Sequence, residues 1–304
     1  MVGIAIINYK TYEKTIECID SIRKTTKIPY KIFLLDNASL NGSVQKLNDE
    51  YKDSNDVELI ISDTNEGYAR GNNICIKRMI ESGCDYGVIS NNDIVCEKDA
   101  IELLINDLKK KKEYLLVGPR IELPNGDYQK SIILDEYGKI EYLQKSTYLY
   151  NFHKRKNKKE KSKLEALNAF TDVCWVSGAF FAFDLKKMKE VGGFDPNTFL
   201  FFEEYILAAK AKEKNYLLGY NPSSVVKHDH AFTTGGGINI NSKIVADRSE
   251  MYYFKNYTKN GKLFLALLRV IRKMEVFFTF GKKKDFKSIK RYKRETRKNG
   301  EVNE

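Results

Sequence analysis

The first 120 residues alternate apolar runs of strand length with segments whose apolar side chains recur at helical spacing. Few architectures accept that alternation. The runs at 2–9 (VGIAIINY), 30–36 (YKIFLLD), 57–62 (VELIIS), 86–90 (YGVIS) and 114–118 (YLLVG) read as strands. Between them, residues 13–26 space Ile16, Ile19 and Ile22 along one face, residues 68–81 read as a helix, and 98–112 gather Ile101, Leu104, Ile105 and Leu108. Unbroken apolar strands are buried on both faces, and intervening helices supply the cover. The expected class is therefore α/β, a mostly parallel sheet with helices on both sides.

Residues 125–165 are polar, Tyr-rich and Lys-rich, and read as an excursion from the core. The strand pattern returns at 173–184 (VCWVSGAFFAFD) as one buried strand, followed by a short helix ending at VGGFD (191–195). A helix follows within FLFFEEYILAAKAKEKNY, and residues 262–280 form an apolar helix interrupted by Arg269, Arg272, Lys273 and Glu275.

Composition narrows the function classes. A hydrophobic fraction of 42%, with 19 tyrosines and 17 phenylalanines, belongs to a globular chain. No uncharged apolar run is long enough to span a bilayer. The opening MVGIAIINYK has neither a basic n-region nor a cleavage site, so no signal peptide is expected. Five scattered cysteines without CxxC spacing fit a reduced, cytoplasmic protein lacking a zinc site. The formal net charge of +11 is concentrated in 282–298, with ten Lys or Arg against two acids, and in the Lys-rich run 153–163. Such appendages attract nucleic acid or an anionic membrane surface. A nucleic-acid-binding reading has only Phe286 and Tyr292 as aromatic partners in the tail and no recognised motif, so nucleic acid is not the expected partner.

Each early strand ends in Asn or Asp: Asn8-Tyr9, Asp36-Asn37, Asp63 and Asn65, then Asn91-Asn92-Asp93. Open α/β sheets bind ligands beyond these carboxyl ends. GxGxxG and GxxxxGK[ST] are both absent, so glycine-rich phosphate cradles are excluded. A carboxylate holding Mg²⁺ or Mn²⁺ would neutralise a bound phosphate instead, and Asp93 stands at a strand tip.

Seven segments, IINYKTYEKTIECIDSI, LLDNAS, NEGYARGNN, SNNDI, VSGAFFAF, VGGFDPNTFLFFEEY and VVKHDH, occur in the order found in the inverting family 2 glycosyltransferases of GT-A fold. From Val2 to about residue 275 the chain resembles that family, and is most similar to its rhamnosyltransferase-like members of bacterial surface-polysaccharide synthesis. The resemblance implies a GT-A domain over 1–260, with a nucleotide-binding half at 1–120 and an acceptor and catalytic half at 170–235. Residues 261–304 are then an amphipathic basic helical tail. It implies transfer from a dTDP-rhamnose or UDP-sugar donor to a glycan or lipid-linked acceptor in capsule, O-antigen or cell-wall synthesis, at the inner face of the cell membrane. SNNDI matches the metal-binding segment, and with Asn91 replacing its first acid, Asp93 is the sole acidic ligand there. His228 matches a position that completes metal or diphosphate binding, with His230 as the fallback and no role for His153. The donor-binding matches are Asp36 for the nucleobase, Asn8 and Tyr9 beneath it, Asn65, Arg70 and Asn72 around base, ribose and sugar, and Asn91 and Asn92 at the tip. Trp175 and Gly178 match the strand lining the sugar and acceptor. Glu204 matches the catalytic base, with Glu203 the runner-up.

Overall fold

The computed structural model describes residues 1–134, 142, 166–229, 239–282 and 285–298. The run 153–163, His153 and His230 lie outside them. Two compact units are present: Met1–Asp135 with Lys163–Phe199 and Glu203–Gly236, and Glu136–Ser162 with Leu200–Phe202 and Gly237–Glu304.

The first unit is built on β1 (Val2–Asn8), β2 (Tyr30–Asn37), β3 (Val57–Ser62), β4 (Tyr86–Asn91), β5 (Ile94–Cys96), β6 (Tyr114–Glu122), β8 (Thr171–Val173), β10 (Phe180–Asp184) and β11 (Leu217–His228), with β7 (Ile132–Ile133) and β9 (Trp175–Val176) paired separately. The main order is β3-β2-β1-β4-β10-β6-β11-β5. β3, β2, β1 and β4 run parallel, as do β6 and β11, while β10 lies antiparallel between β4 and β6. The sheet is mostly parallel, as expected.

Strand alternation explains the two cores. Ile4, Ile6, Ile32 and Leu34 face α1 (Tyr12–Thr25), α2 (Ser43–Tyr51) and α4 (Ala100–Lys110) through Ile19, Ile22, Leu47 and Leu104. Ala5, Phe33 and Leu35 point the other way, toward α3 (Gly67–Glu81) and α5 (Leu185–Glu190) through Ala69, Ile76 and Met188. Successive residues thus bury opposite faces, which is why these runs read as continuously apolar.

The stretch expected as one strand at 173–184 is three short strands, β8, β9 and β10. The chain breaks at Cys174 and again at Ser177–Ala179, where a Cβ on Gly178 would lie 2.6 Å from Glu204 Oε1. Close approach of another element, rather than loss of hydrophobicity, diverts the backbone. α6 (Glu203–Glu213) follows two consecutive left-handed residues, Phe201 (φ 73°) and Phe202 (φ 69°), a conformation non-glycine residues hold only under tertiary constraint.

The second unit holds α7 (Ile240–Asn256), α8 (Lys262–Lys282) and α9 (Phe286–Lys298), packed through Ile240, Ile244, Val276, Phe280, Ile289 and Tyr292. Arg272, which the sequence presents as an interruption of an apolar helix, is buried. It donates from Nε to Glu250 Oε2 at 2.6 Å and from Nη1 to Glu275 Oε2 at 2.8 Å, so its charge is answered inside the core. The basic run is likewise no free appendage, since Tyr292 of α9 is buried and donates to Asp247 Oδ2 at 2.6 Å. Among the described residues no helix is long and apolar enough to cross a membrane.

Candidate active site

The carboxyl ends of β1, β2 and β4 converge because their registers align: Asn8 pairs with Asp36, and Ile7 with Asn91. Asn8 sits at the centre of a buried polar network. Its Nδ2 donates to Asp36 Oδ2 at 2.7 Å and to Ser39 Oγ at 3.1 Å, and its Oδ1 accepts from Thr15 Oγ1 at 2.9 Å. Asp36 Oδ1 accepts from the Ser39 amide at 3.0 Å. Asn92 closes the network below, donating to Thr15 Oγ1 at 2.9 Å and Thr11 Oγ1 at 2.7 Å. The amide of Asn92 is therefore turned into the protein.

Around this floor, Asn37 Oδ1 accepts from the Glu66 amide at 2.8 Å, and Asn65 Oδ1 from the Gly67 amide at 3.0 Å. Gly67 has φ 72°, and a Cβ there would fall 2.2 Å from the Phe199 carbonyl, so the turn into α3 requires glycine. Tyr9 is 41% exposed at the mouth, its phenol pKa lowered by hydrogen bonding to Lys10 and then Asn65. Arg70 is exposed and donates from Nε to the Pro196 carbonyl at 2.8 Å. Asn72 is buried and donates to the Tyr68 carbonyl at 3.0 Å, inside its own helix.

Asp93 and His228 are both only 3% exposed, and Asp93 Oδ1 lies 3.0 Å from His228 Nε2. β5 brings them together, because Ile94 pairs with His228. The other ring nitrogen, Nδ1, is 2.7 Å from Gln129 Oε1. Both ring nitrogens are thus engaged by side chains, Nδ1 by the Gln129 carboxamide and Nε2 by the Asp93 carboxylate. An octahedral Mg²⁺, with bonds of about 2.1 Å, sets neighbouring ligand atoms about 3.0 Å apart, so the pair fits one such ion. Among the described residues no group of three or more His, Cys, Asp or Glu converges for a metal. Phosphate and water would complete the shell. Gln129 escaped the sequence reading, since it lies in the polar excursion and its partner is 99 residues away.

The acidic pair opens α6 as expected. Glu203 is 2% exposed, whereas Glu204 is half-buried and its Oε1 accepts from the Gly178 amide at 2.9 Å. Burial raises the Glu204 pKa above the ordinary carboxylate range, partly offset by hydrogen bonds from the Glu204 and Gly178 amides. Tyr68 Oη donates to the Gly178 carbonyl at 2.7 Å, fixing the same turn from the other side. The Asn91 amide donates to the Ala179 carbonyl at 2.8 Å, joining this turn to the tip of β4. Trp175 is half-buried, with its ring centroid 5.5 Å from that of Tyr205.

An N-acetylglucosaminyl-diphospho-decaprenol L-rhamnosyltransferase of Mycobacterium tuberculosis is 25% identical over 224 residues, 71% of each chain. The O-antigen chain rhamnosyltransferase RfbN of Salmonella typhimurium is 24% identical over 216 residues, 71% of this chain and 62% of that protein. Among solved structures, GalNAc-T7 with UDP, GalNAc and Mn²⁺ superposes with a TM-score of 0.60 at 15% identity, over 84% of this chain and 49% of that one. Mannosyltransferase PcManGT from Pyrobaculum calidifontis, in complex with GDP-Man and Mn²⁺, gives 0.56 at 14% identity, over 100% of this chain and 76% of the other. These two likenesses are of fold. The model of the family described as Glycosyl transferase family 2 matches residues 3–186. A sheet of this order, a polar network at its carboxyl edge and a match across more than half the chain lead to one assignment: the chain belongs to glycosyl transferase family 2.

Proposed function

We propose that the protein is an inverting, metal-dependent sugar transferase, moving a sugar from dTDP-rhamnose or a UDP-sugar to a glycan or lipid-linked glycan acceptor of a bacterial surface polysaccharide. The observation that carries the reading is the Glu204 carboxylate, desolvated and aimed by the Gly178 amide, on a turn joined to the strand tip before Asp93. The acceptor hydroxyl oxygen bonds to the anomeric carbon, the bond from that carbon to the nucleoside diphosphate breaks, and the hydroxyl proton passes to Glu204. Glu203, more deeply buried, would be turned toward the protein rather than the acceptor. The Asn8–Asp36 floor, with Tyr9, Asn65 and Arg70 around it, would receive the nucleoside. Asn91 and Trp175 would line the sugar, and Asn72 and Asn92 hold the walls. Asp93 and His228 would hold Mg²⁺ or Mn²⁺, which supplies positive charge to the departing diphosphate. The rhamnosyltransferase names of both sequence relatives favour a rhamnose donor and a polyprenyl-linked or O-antigen acceptor, and with such an acceptor the reaction would run at the inner membrane face.

A donor screen reading nucleotide release tests the whole reading. Glu204→Gln should keep donor binding and lose turnover by about 10²–10⁴-fold. The acid limb of the wild-type kcat profile should lie above the usual glutamate range, because the base works only after losing a proton that burial makes it hold more tightly. An active Glu204→Gln beside an inactive Glu203→Gln would reverse the assignment of the pair.

A further inference from the structure

We propose that the outer face of α8 docks on an anionic lipid bilayer. The inference stands apart from the choice of donor and acceptor. Leu263, Leu267, Val270, Met274, Phe277 and Phe278 are each between 47% and 83% exposed. At 100° per residue they fall, with Ala266, within one arc of about 120° that contains no charged side chain. The stripe runs about 22 Å along the helix. The opposite side is anchored by buried Leu268, Arg272, Val276 and Phe280, so the exposed stripe is not a core face left open by fraying.

Charge decides what covers it. Lys262, Arg269 and Lys273 are exposed and line one edge of the apolar arc. In α9, Lys287, Lys290, Arg291, Lys293 and Arg294 are exposed, as is Phe286. The neighbouring acids are committed elsewhere. Glu275 is bound by Arg272 and Lys243, Glu295 by Arg248 and Arg294, and Asp285 accepts from the Ser288 amide at 3.1 Å. The spacing of Leu263, Leu267, Val270, Met274 and Phe277 is also that of a coiled-coil seam. A second copy packed antiparallel along this seam would, however, bring the same cationic edge against its own. An acidic headgroup layer satisfies the cations while its acyl boundary receives the apolar arc, the arrangement of an interfacial helix.

The test is co-sedimentation of the full-length protein with phosphatidylcholine vesicles, with and without phosphatidylglycerol, at low and high salt. Point substitutions are preferable to removing the tail, because Ile289 and Tyr292 of α9 are buried and truncation would open that core. Binding is expected on the mixed vesicles and should weaken with salt. Replacing Lys262, Arg269 and Lys273 together by Gln should weaken it by about a hundredfold, at about fivefold per cation. Met274→Asp should weaken it at least tenfold, and Met274→Ser, which removes apolar atoms without adding charge, serves if the Asp variant melts early. Equal binding by wild type and both Met274 variants, or equal binding to neutral vesicles, overturns the proposal. So does a protein dimer in sedimentation velocity that Met274→Asp abolishes, since the stripe would then belong to a second copy.

Discussion

Gly178→Ala adds one methyl group where the structure has least room for it. The backbone there is not left-handed, so alanine meets no conformational barrier and the effect is steric. The new Cβ would stand 2.6 Å from Glu204 Oε1, 2.7 Å from Tyr68 Oη and 3.1 Å from Tyr68 Cζ, against an ordinary contact of 3.4 Å or more. Glu204 must retreat by about 0.8 Å, and the 2.9 Å hydrogen bond from the Gly178 amide stretches or breaks. A reacting group misplaced by about 1 Å can cost about a hundredfold in rate, while overpacking by one methyl costs about 1–3 kcal/mol of stability. The expected variant is therefore folded, melts somewhat lower, binds donor normally and turns over about a hundredfold more slowly. Nucleotide release at saturating donor gives kcat, and a thermal melt separates slow chemistry from unfolding. The double variant Gly178→Ala/Glu204→Gln should be no slower than Glu204→Gln alone, since the methyl acts through the carboxylate it displaces. Wild-type kcat in Gly178→Ala would show that the carboxylate is aimed by something other than this amide. A double variant slower by the full product of the two single effects would show that Gly178 acts independently of Glu204.

Asp93→Asn should lose metal-dependent turnover while keeping its melting temperature, and wild-type turnover at saturating donor would defeat the metal assignment. Gln129→Leu should weaken Mn²⁺ binding about 10–100-fold by releasing the His228 ring, with Gln129→Glu retaining an acceptor and most of the affinity. Calorimetric titration of the metal reads this directly, and unchanged affinity in the Leu variant would refute it. The Arg23 guanidinium holds the Asp56 carboxyl down to about 2, with Ser54 assisting and burial opposing. A depressed carboxylate stabilises the fold above its unfolded pKa of about 3.9 and loses that contribution as pH falls through the folded value. With a third of each side chain meeting solvent, about 1 kcal/mol remains after screening. Asp56→Asn should thus unfold more easily in urea at neutral pH, by a margin that shrinks toward about pH 2, and a margin independent of pH would exclude the pair as its source.

Sequence reading succeeds where one residue reports its own environment. β1, β2 and β4 are apolar at consecutive positions because both faces are covered. α2 escaped because it buries only Ser43, Leu47 and Tyr51 and is rich in residues that also favour turns. The remaining differences depend on partners distant in sequence. Asn92 reads as a ligand-facing amide until Thr11 and Thr15 are placed beneath it. Arg272 reads as a surface charge until Glu250, 22 residues earlier, comes alongside. Likewise, the turn at Gly178 belongs to a single apolar run until the carboxylate of α6 crosses it.

The Arg272–Glu250 contact has a consequence for assembly of the C-terminal helices. Helices joined only by methyl and ring contacts can slide by one turn, about 5.4 Å, and still match apolar face to apolar face. The inward stripe of α8 repeats once per turn, as Leu268, Arg272, Val276 and Phe280. A one-turn slip would present Leu268 or Val276 to Glu250, stranding that carboxylate in apolar surroundings and leaving Arg272 with only Glu275 of its own helix. Breaking such a pair costs about 3–5 kcal/mol, a large share of a domain's net stability. The buried pair is thus a register pin: it lets α7 and α8 lock in one thread and makes each misthreaded alternative unstable enough to reopen.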